Sequence, residues 1–211
     1  MAIRRFQVDL TGTAALLLSN NACSDPLSVS AKIKKRFTSK RIKADADHQN
    51  LRVIDWAYSG YWAEPGEVIV DEVSNSVSLD GFSDLYMPSQ NFERCLRDGA
   101  TVFKLGRDVK KALIVENEAP LLYDGPRAAV DMIKDPKFVL ISPIRRAGVT
   151  NWVTRVKIPP GWSCQFRLIV DDDRVSADAL ERIVKAAGKF EGLGTWRPRY
   201  GRFSGVLTEI D

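Results

Sequence analysis

Between Gly192 and Phe203 the chain reads Gly-Leu-Gly-Thr-Trp-Arg-Pro-Arg-Tyr-Gly-Arg-Phe. Arg197, Arg199 and Arg202 carry planar guanidinium groups that can grip phosphates through paired hydrogen bonds. Trp196 and Tyr200 offer ring faces on which bases can stack. Gly192, Gly194 and Gly201 either let the backbone approach a ligand closely or take up positive φ. This interleaving suits a nucleic-acid strand better than a dinucleotide, whose Gly-x-Gly-x-x-Gly turn follows a strand and opens a helix. The same residues would also build a tight structural turn with Trp196 and Tyr200 in the core.

A second concentration of charge lies upstream. Lys32, Lys34, Lys35, Arg36, Lys40, Arg41 and Lys43 fall between Pro26 and Ala44 with no acid among them. The net charge of the whole chain is only +4, so these seven leave the remainder negative. Gly192 to Thr208 is likewise free of acids. Cations gathered into two segments are the footprint of a polyanion partner, or of a solvated basic loop and an Arg-rich turn.

Other constellations suggest less. Asp45-x-Asp47-His48 has metal-ligand residue types, but adjacent positions in one loop seldom converge on an ion. Asp171-Asp-Asp173 ends a strand before a helix, where carboxylates favour the helix dipole. A single histidine, His48, excludes His-rich metal sites and two-imidazole mechanisms. Cys23, Cys95 and Cys164 form no Cys-x-x-Cys pair and fit a reducing compartment; Cys95 and Cys164 read as core residues. No metal and no cofactor is expected.

These residues need a scaffold. Phe6, Val8 and Leu10 alternate with Arg5, Gln7 and Asp9, which predicts a long first strand with one buried face. Ser28 to Lys43 reads as a short helix or a mobile excursion, and Leu51 to Tyr58 and Gly66 to Leu79 as strands. Ser89 is expected to cap a helix carrying Phe92, Cys95, Leu96 and Phe103. Trp162, Cys164, Phe166, Leu168 and Val170 alternate along a half-buried strand. Ser176 caps a following helix, Gly188 ends it, and Arg202 to Leu207 forms the last strand. Strand–helix segments near both ends predict an α+β fold with a ferredoxin-like, RRM-like core. One domain over residues 1–211 is expected, with a basic flexible segment at about 26–50 and a strand-rich insertion at about 51–86.

The helix followed by Gly-Leu-Gly-x-x-Arg-x-x-x-Gly-x-Phe resembles the glycine-rich loop of the RAMP superfamily, the RRM-like RNA-binding proteins of CRISPR antiviral defence systems. Leu16-Leu-Leu-Ser-Asn-Asn21 is similar to the end of that group's first strand. Tyr86-Met-Pro-Ser-Gln-Asn-Phe-Glu-Arg-Cys-Leu-Arg97 and Glu118-Ala-Pro-Leu-Leu-Tyr-Asp-Gly-Pro126 resemble later segments of such chains. Together they look most like the backbone-subunit branch, whose copies polymerise helically along a guide RNA. The resemblance implies that Asn20 and Asn21 lie near RNA and that Gly192 to Arg202 packs against its backbone. It also implies that Ser89 and Gln90 offer N–H groups to a phosphate, and that Lys32 to Lys43 stands where the group carries a flexible insertion closing over RNA. Asp25 sits where target-cleaving members keep a catalytic aspartate. The chain departs from the group in being short, with small insertions, as a phage-encoded or mobile-element relative would be.

The expected function is therefore a non-catalytic subunit that multimerises in a helical or filamentous ribonucleoprotein along guide-type RNA, with other CRISPR effector subunits as further partners. The alternatives are a metal-dependent RAMP-type ribonuclease centred on Asp25, and a phage-encoded protein-interaction module that mimics a CRISPR subunit. The aromatic run Trp56, Tyr58, Tyr61 and Trp62 would equally serve subunit contacts. No apolar run reaches the ~20 residues needed to span a bilayer. Ala14 to Leu18 is too short for a signal peptide, so a cytoplasmic protein with no membrane partner is expected.

Overall fold

A computed structural model describes residues 2–146 and 148–210. The strands are β1 (Ile3–Gly12), β2 (Leu16–Leu17), β3 (Trp62–Glu64), β4 (Glu67–Asp71), β5 (Ser76–Asp80), β6 (Ser83–Met87), β7 (Leu113–Val115), β8 (Ala119–Pro120), β9 (Val139–Arg146), β10 (Val149–Ile158), β11 (Ser163–Asp171) and β12 (Phe203–Ile210). The helices are α1 (Val29–Thr38), α2 (Asp45–Ala57), α3 (Ser89–Ala100), α4 (Gly106–Ala112), α5 (Ala129–Met132) and α6 (Ala177–Ala186). The fold is α+β. Among the described residues no helix is long and apolar enough to cross a membrane.

The chain divides into two compact units. The first comprises Met1–Leu17, Tyr86–Asp124 and Ile158–Asp211; the second comprises Leu18–Leu85 and Gly125–Lys157. In the first unit β1, α3, β7, β11, α6 and β12 follow one another in chain order, and the sheet runs β12-β1-β11-β7 with every pairing antiparallel. This is the ferredoxin-like arrangement, in which β1 lies between the two strands joined by α6 and so splits the βαβ unit.

Alternation builds the core of that sheet. Phe6, Val8 and Leu10 of β1, with Cys164, Phe166, Leu168 and Val170 of β11, are buried. Leu180, Ile183 and Val184 of α6 and Phe92, Cys95 and Leu96 of α3 are buried as well, and Phe92 stacks on Phe166 at 4.0 Å. The opposite sheet face is polar: Gln165 donates to Asp9 at 2.6 Å, and Gln7 to the same carboxylate at 3.2 Å. The three capping assignments fare differently. Ser176 caps α6, its hydroxyl accepting from the Ala179 N–H. Pro88, not Ser89, stands at the N-cap of α3, which puts Ser89 in the first helical position. Gly188 does not end α6, because the chain continues through a π-helical turn, Ala187–Glu191, to Gly192. A Cβ at Gly188 would stand 2.2 Å from the Phe203 carbonyl oxygen, so this glycine serves the approach of β12.

In the second unit Leu51 to Ala57 belongs to helix α2, with Tyr58 at its C-cap, rather than to a strand. The buried positions of α2 are Asp47, Asn50, Ile54, Trp56 and Ala57, and spacings of three and four residues make this a helical face. Two of those residues are polar, which hides the stripe from hydropathy. The segment Gly66 to Leu79 forms the hairpin β4–β5, and β9–β10 is a second hairpin. The aromatic run is anchored in the core by Trp56, which is fully buried and donates from Nε1 to the Phe138 carbonyl at 3.0 Å. Trp62 packs on Trp56 and on Phe82, with ring centroids 5.6 and 5.7 Å away, and Tyr58 meets Phe82 edge-on. Tyr58, Tyr61 and Trp62 are half-buried.

Candidate nucleic-acid interface

In the first unit the glycine loop is tied to the chain that follows β1. Thr195 N–H donates to the Leu17 carbonyl and Gly201 N–H to the Ala15 carbonyl, while Leu193 N–H donates to the Gly201 carbonyl. Gly194 (φ 74°) and Gly201 (φ 76°) have the left-handed backbone these contacts require. A Cβ would fall 2.3 Å from the Leu17 carbonyl oxygen at the first and 1.9 Å from that of Leu193 at the second. Of the two roles open to the glycines, positive φ and close packing against the protein's own backbone is the one realised.

The three arginines divide. Arg197 donates from Nη2 to Asp98 Oδ2 at 3.1 Å and from Nη1 to the Gly192 carbonyl at 3.2 Å, and its side chain is only 18% exposed. It is turned inward and holds the loop to α3, a correction to its expected phosphate contact. Cys95 Sγ–H shares the Gly192 carbonyl at 3.1 Å, and burial pushes that thiol up to about 12. Arg199 and Arg202 are exposed, with no acidic partner among the described residues. Trp196 and Tyr200 lean on each other at 6.3 Å and are both half-buried. Ser89 and Gln90 lie in the first turn of α3, with Gln90 exposed.

The basic segment, in the second unit, also divides. Lys40 sits 2.5 Å from Asp47, whose carboxylate also accepts from the Ala44 N–H and from Asn75 Nδ2. These donors hold Asp47 down to about 2. Lys40 therefore anchors the start of α2, and Asp47 serves as a cap rather than a metal ligand. Lys34 pairs with Asp55 at 2.5 Å; burial raises that carboxyl above the usual carboxylate range, with the Lys34 charge working against it. Arg36 meets Glu72 at 3.2 Å, but both are well exposed, and such pairs contribute little. Lys32, Lys35 and Arg41 are exposed and unpaired with acids among the described residues.

The loop leading into α1 is built for local structure. Asn20 donates to the Gly60 carbonyl at 3.1 Å; Asn21 is exposed. Asp25 Oδ1 accepts from the Leu27 N–H at 2.9 Å, an Asx turn that sets up the Ser28 cap of α1. Among the described residues no group of three or more His, Cys, Asp and Glu could hold a metal ion. Asp171 is met by Arg174 and Asp172 by Arg4, each as an ion pair.

The second unit also contains a groove of about 540 Å³ whose walls come from α1, α2 and the β9–β10 hairpin. Lys34, His48, Arg52, Asn151 and Trp152 line it. It adjoins a smaller polar recess of about 130 Å³ lined by Asn20, Cys23, Lys34, Asp55 and Arg155. Asn20 and Lys34 are thus brought together, whereas Lys32, Lys35, Arg36 and Arg41 line neither. Trp152 is 63% exposed, which is unusual for so large an apolar ring. Sequence reasoning misses it because it is in phase with the buried Thr154, Val156 and Ile158 along β10, which makes it look like core. An open indole beside cations can stack a base while the cations meet phosphate.

No protein-family model matches the chain, and no curated protein matches it in sequence. Solved structures do match. One is a chain of a structure described as the type III-B Cmr-beta bound to cognate target RNA, with 13% identity, a TM-score of 0.50 and coverage of 99% of this chain and 61% of that one. What they share is the fold. The chain spans about three-fifths of the length of that neighbour. A chain from a type IV-B CRISPR complex aligns over 97% of this chain and 90% of its own length, with 9% identity and a TM-score of 0.46.

Proposed function

We propose that this chain is a non-catalytic RNA-binding subunit of a CRISPR-type ribonucleoprotein, multimerising along a guide-type strand beside other effector subunits. The observation that carries this reading is the groove of the second unit, where exposed Trp152 stands with Arg52 and Asn151 beside the Lys34–Asp55 ion pair. Stacking and phosphate contacts of this kind hold a strand of any sequence. Lys32, Lys35 and Arg41 in the second unit, and Arg199 and Arg202 in the first, add exposed cations with no acidic partner among the described residues. The ferredoxin-like core, and its likeness to a chain from an RNA-bound type III-B structure, support the same reading.

Fluorescence anisotropy with a labelled single-stranded RNA of about 20 nucleotides tests the proposal. Binding is expected to weaken steeply with salt, with log affinity falling roughly linearly in log salt concentration as counterions are released. Arg52→Glu with Trp152→Ala should remove most of the binding while the far-ultraviolet spectrum stays unchanged. Undiminished binding by that double variant refutes the groove as the RNA site. An A260/A280 ratio typical of pure protein, with no RNA affinity at low salt, refutes RNA binding altogether.

A further inference from the structure

The first unit carries a second basic surface that the RNA reading does not use. Arg94 and Arg97 lie three residues apart on α3, and Arg107 and Lys110 three apart on α4, so each pair shares one helix face. The chain between them turns sharply. Lys104 has left-handed backbone (φ 62°), the Leu105 N–H returns to the Ala100 carbonyl at 3.0 Å, and Gly106 fits against Thr101. A Cβ on Gly106 would meet Thr101 Cγ2 at 3.1 Å, so the turn is packed tightly. It leaves a cleft of about 560 Å³ lined by Arg97, Lys104, Arg107 and Lys110 with Thr101 and Gly106. A neighbouring cleft of about 370 Å³ shares Arg97 and Lys110 and adds Arg94 and Gln90.

The charge of this surface is only partly neutralised from within. Asp98 is already shared by Arg94 at 3.8 Å, Arg97 at 3.3 Å and Arg197 at 3.1 Å. Glu93, in the smaller cleft, accepts from the Val115 N–H at 3.2 Å. Asp108 stands in the first turn of α4 and does not line either cleft. Lys104, Arg107 and Lys110 have no acidic partner among the described residues. Arg97 and the three cations Lys104, Arg107 and Lys110 line one concavity, a charge that matches consecutive phosphate groups, whose acceptor oxygens these side chains can share.

We propose that the α3–α4 cleft is an oligophosphate site that takes at least two adjacent phosphates, supplied by a free nucleotide or by a nucleic-acid strand. Isothermal titration with tripolyphosphate at low ionic strength is the first test. Saturable binding of one ion per chain is expected, weakened about tenfold or more by Lys104→Glu with Arg107→Glu. Lys134→Glu with Lys137→Glu, in the other unit, should leave it unchanged. These four side chains are exposed, and equal melting temperatures will show that both variants remain folded. Nonsaturable binding, or equal loss in the two double variants, overturns the proposal in favour of diffuse surface charge. The sources are then separated by competition. A nucleoside triphosphate that displaces tripolyphosphate assigns the free nucleotide, and displacement by a short RNA but not by the triphosphate assigns a strand. Because Arg52 and Trp152 lie outside this cleft, failure here leaves the groove of the second unit untouched, and the reverse also holds.

Discussion

Replacing Arg197 separates its inward role from any part in holding RNA. Arg197→Ala removes two hydrogen bonds, to Asp98 at 3.1 Å and to the Gly192 carbonyl at 3.2 Å. Each is charge-assisted, and losing such a bond costs about 1.5–3 kcal/mol when the partner is left unsatisfied. Neither partner here is orphaned. Asp98 keeps Arg94 and Arg97, and the Gly192 carbonyl keeps the Cys95 thiol. The net loss should therefore fall at about 1–2 kcal/mol, below the sum of the two bonds. For a chain of this length about 1 kcal/mol shifts the melting temperature by roughly 2–4 °C, so a drop of about 2–8 °C is expected. Differential scanning calorimetry reads the shift, and anisotropy at 15 °C, where the variant is fully folded, reads RNA affinity. Affinity within about twofold of the parent is expected. An unchanged melting temperature with RNA affinity reduced tenfold would refute the inward assignment and return Arg197 to the interface.

Three further outcomes follow from the same geometry. Trp152→Ala should weaken RNA binding by about 1–3 kcal/mol, the worth of one stacked base, with the melting temperature scarcely altered since the ring is 63% exposed; unchanged affinity in titrations would remove the indole from the site. Gly201→Ala places a Cβ 1.9 Å from a backbone oxygen at φ 76°, and should destabilise the first unit by more than the roughly 1 kcal/mol of left-handed strain alone; a urea midpoint equal to the parent's would contradict the loop's packing. Asp47 has its carboxyl held at about 2 against an ordinary 3.8, so its ionised form is favoured by folding. That contribution is complete above the ordinary value and is lost as pH falls through about 2. Thermal melts between pH 5 and pH 2 should show the parent losing stability faster than Asp47→Asn, and parallel curves would rule the assignment out.

Much of the scaffold was legible because it is local. Period-two alternation in β1 and β11, and the Ser176 cap with its apolar helical stripe in α6, are written in neighbouring residues and survive folding unchanged. So is the need for glycine in a connector that reverses direction between α6 and β12. The helix α2 was not legible, because its buried face includes Asp47 and Asn50, whose burial is satisfied by Lys40 and by Asn75, at the tip of the β4–β5 hairpin.

The sequence by itself determined the α+β class, the strand–helix–strand order of the carboxyl-terminal third and where positive charge accumulates, since composition and periodicity are properties of the chain. Only the tertiary structure decided which of those charges face solvent. Arg197 finds its carboxylate 99 residues away and Lys34 finds its own 21 away, whereas Arg199 and Arg202 find none among the described residues. It also decided that Trp152, in phase with core positions, stands in an open groove. Whether a cation or a ring is available to a ligand depends on which distant groups are folded against it, and pairing across such separations leaves no mark in local sequence.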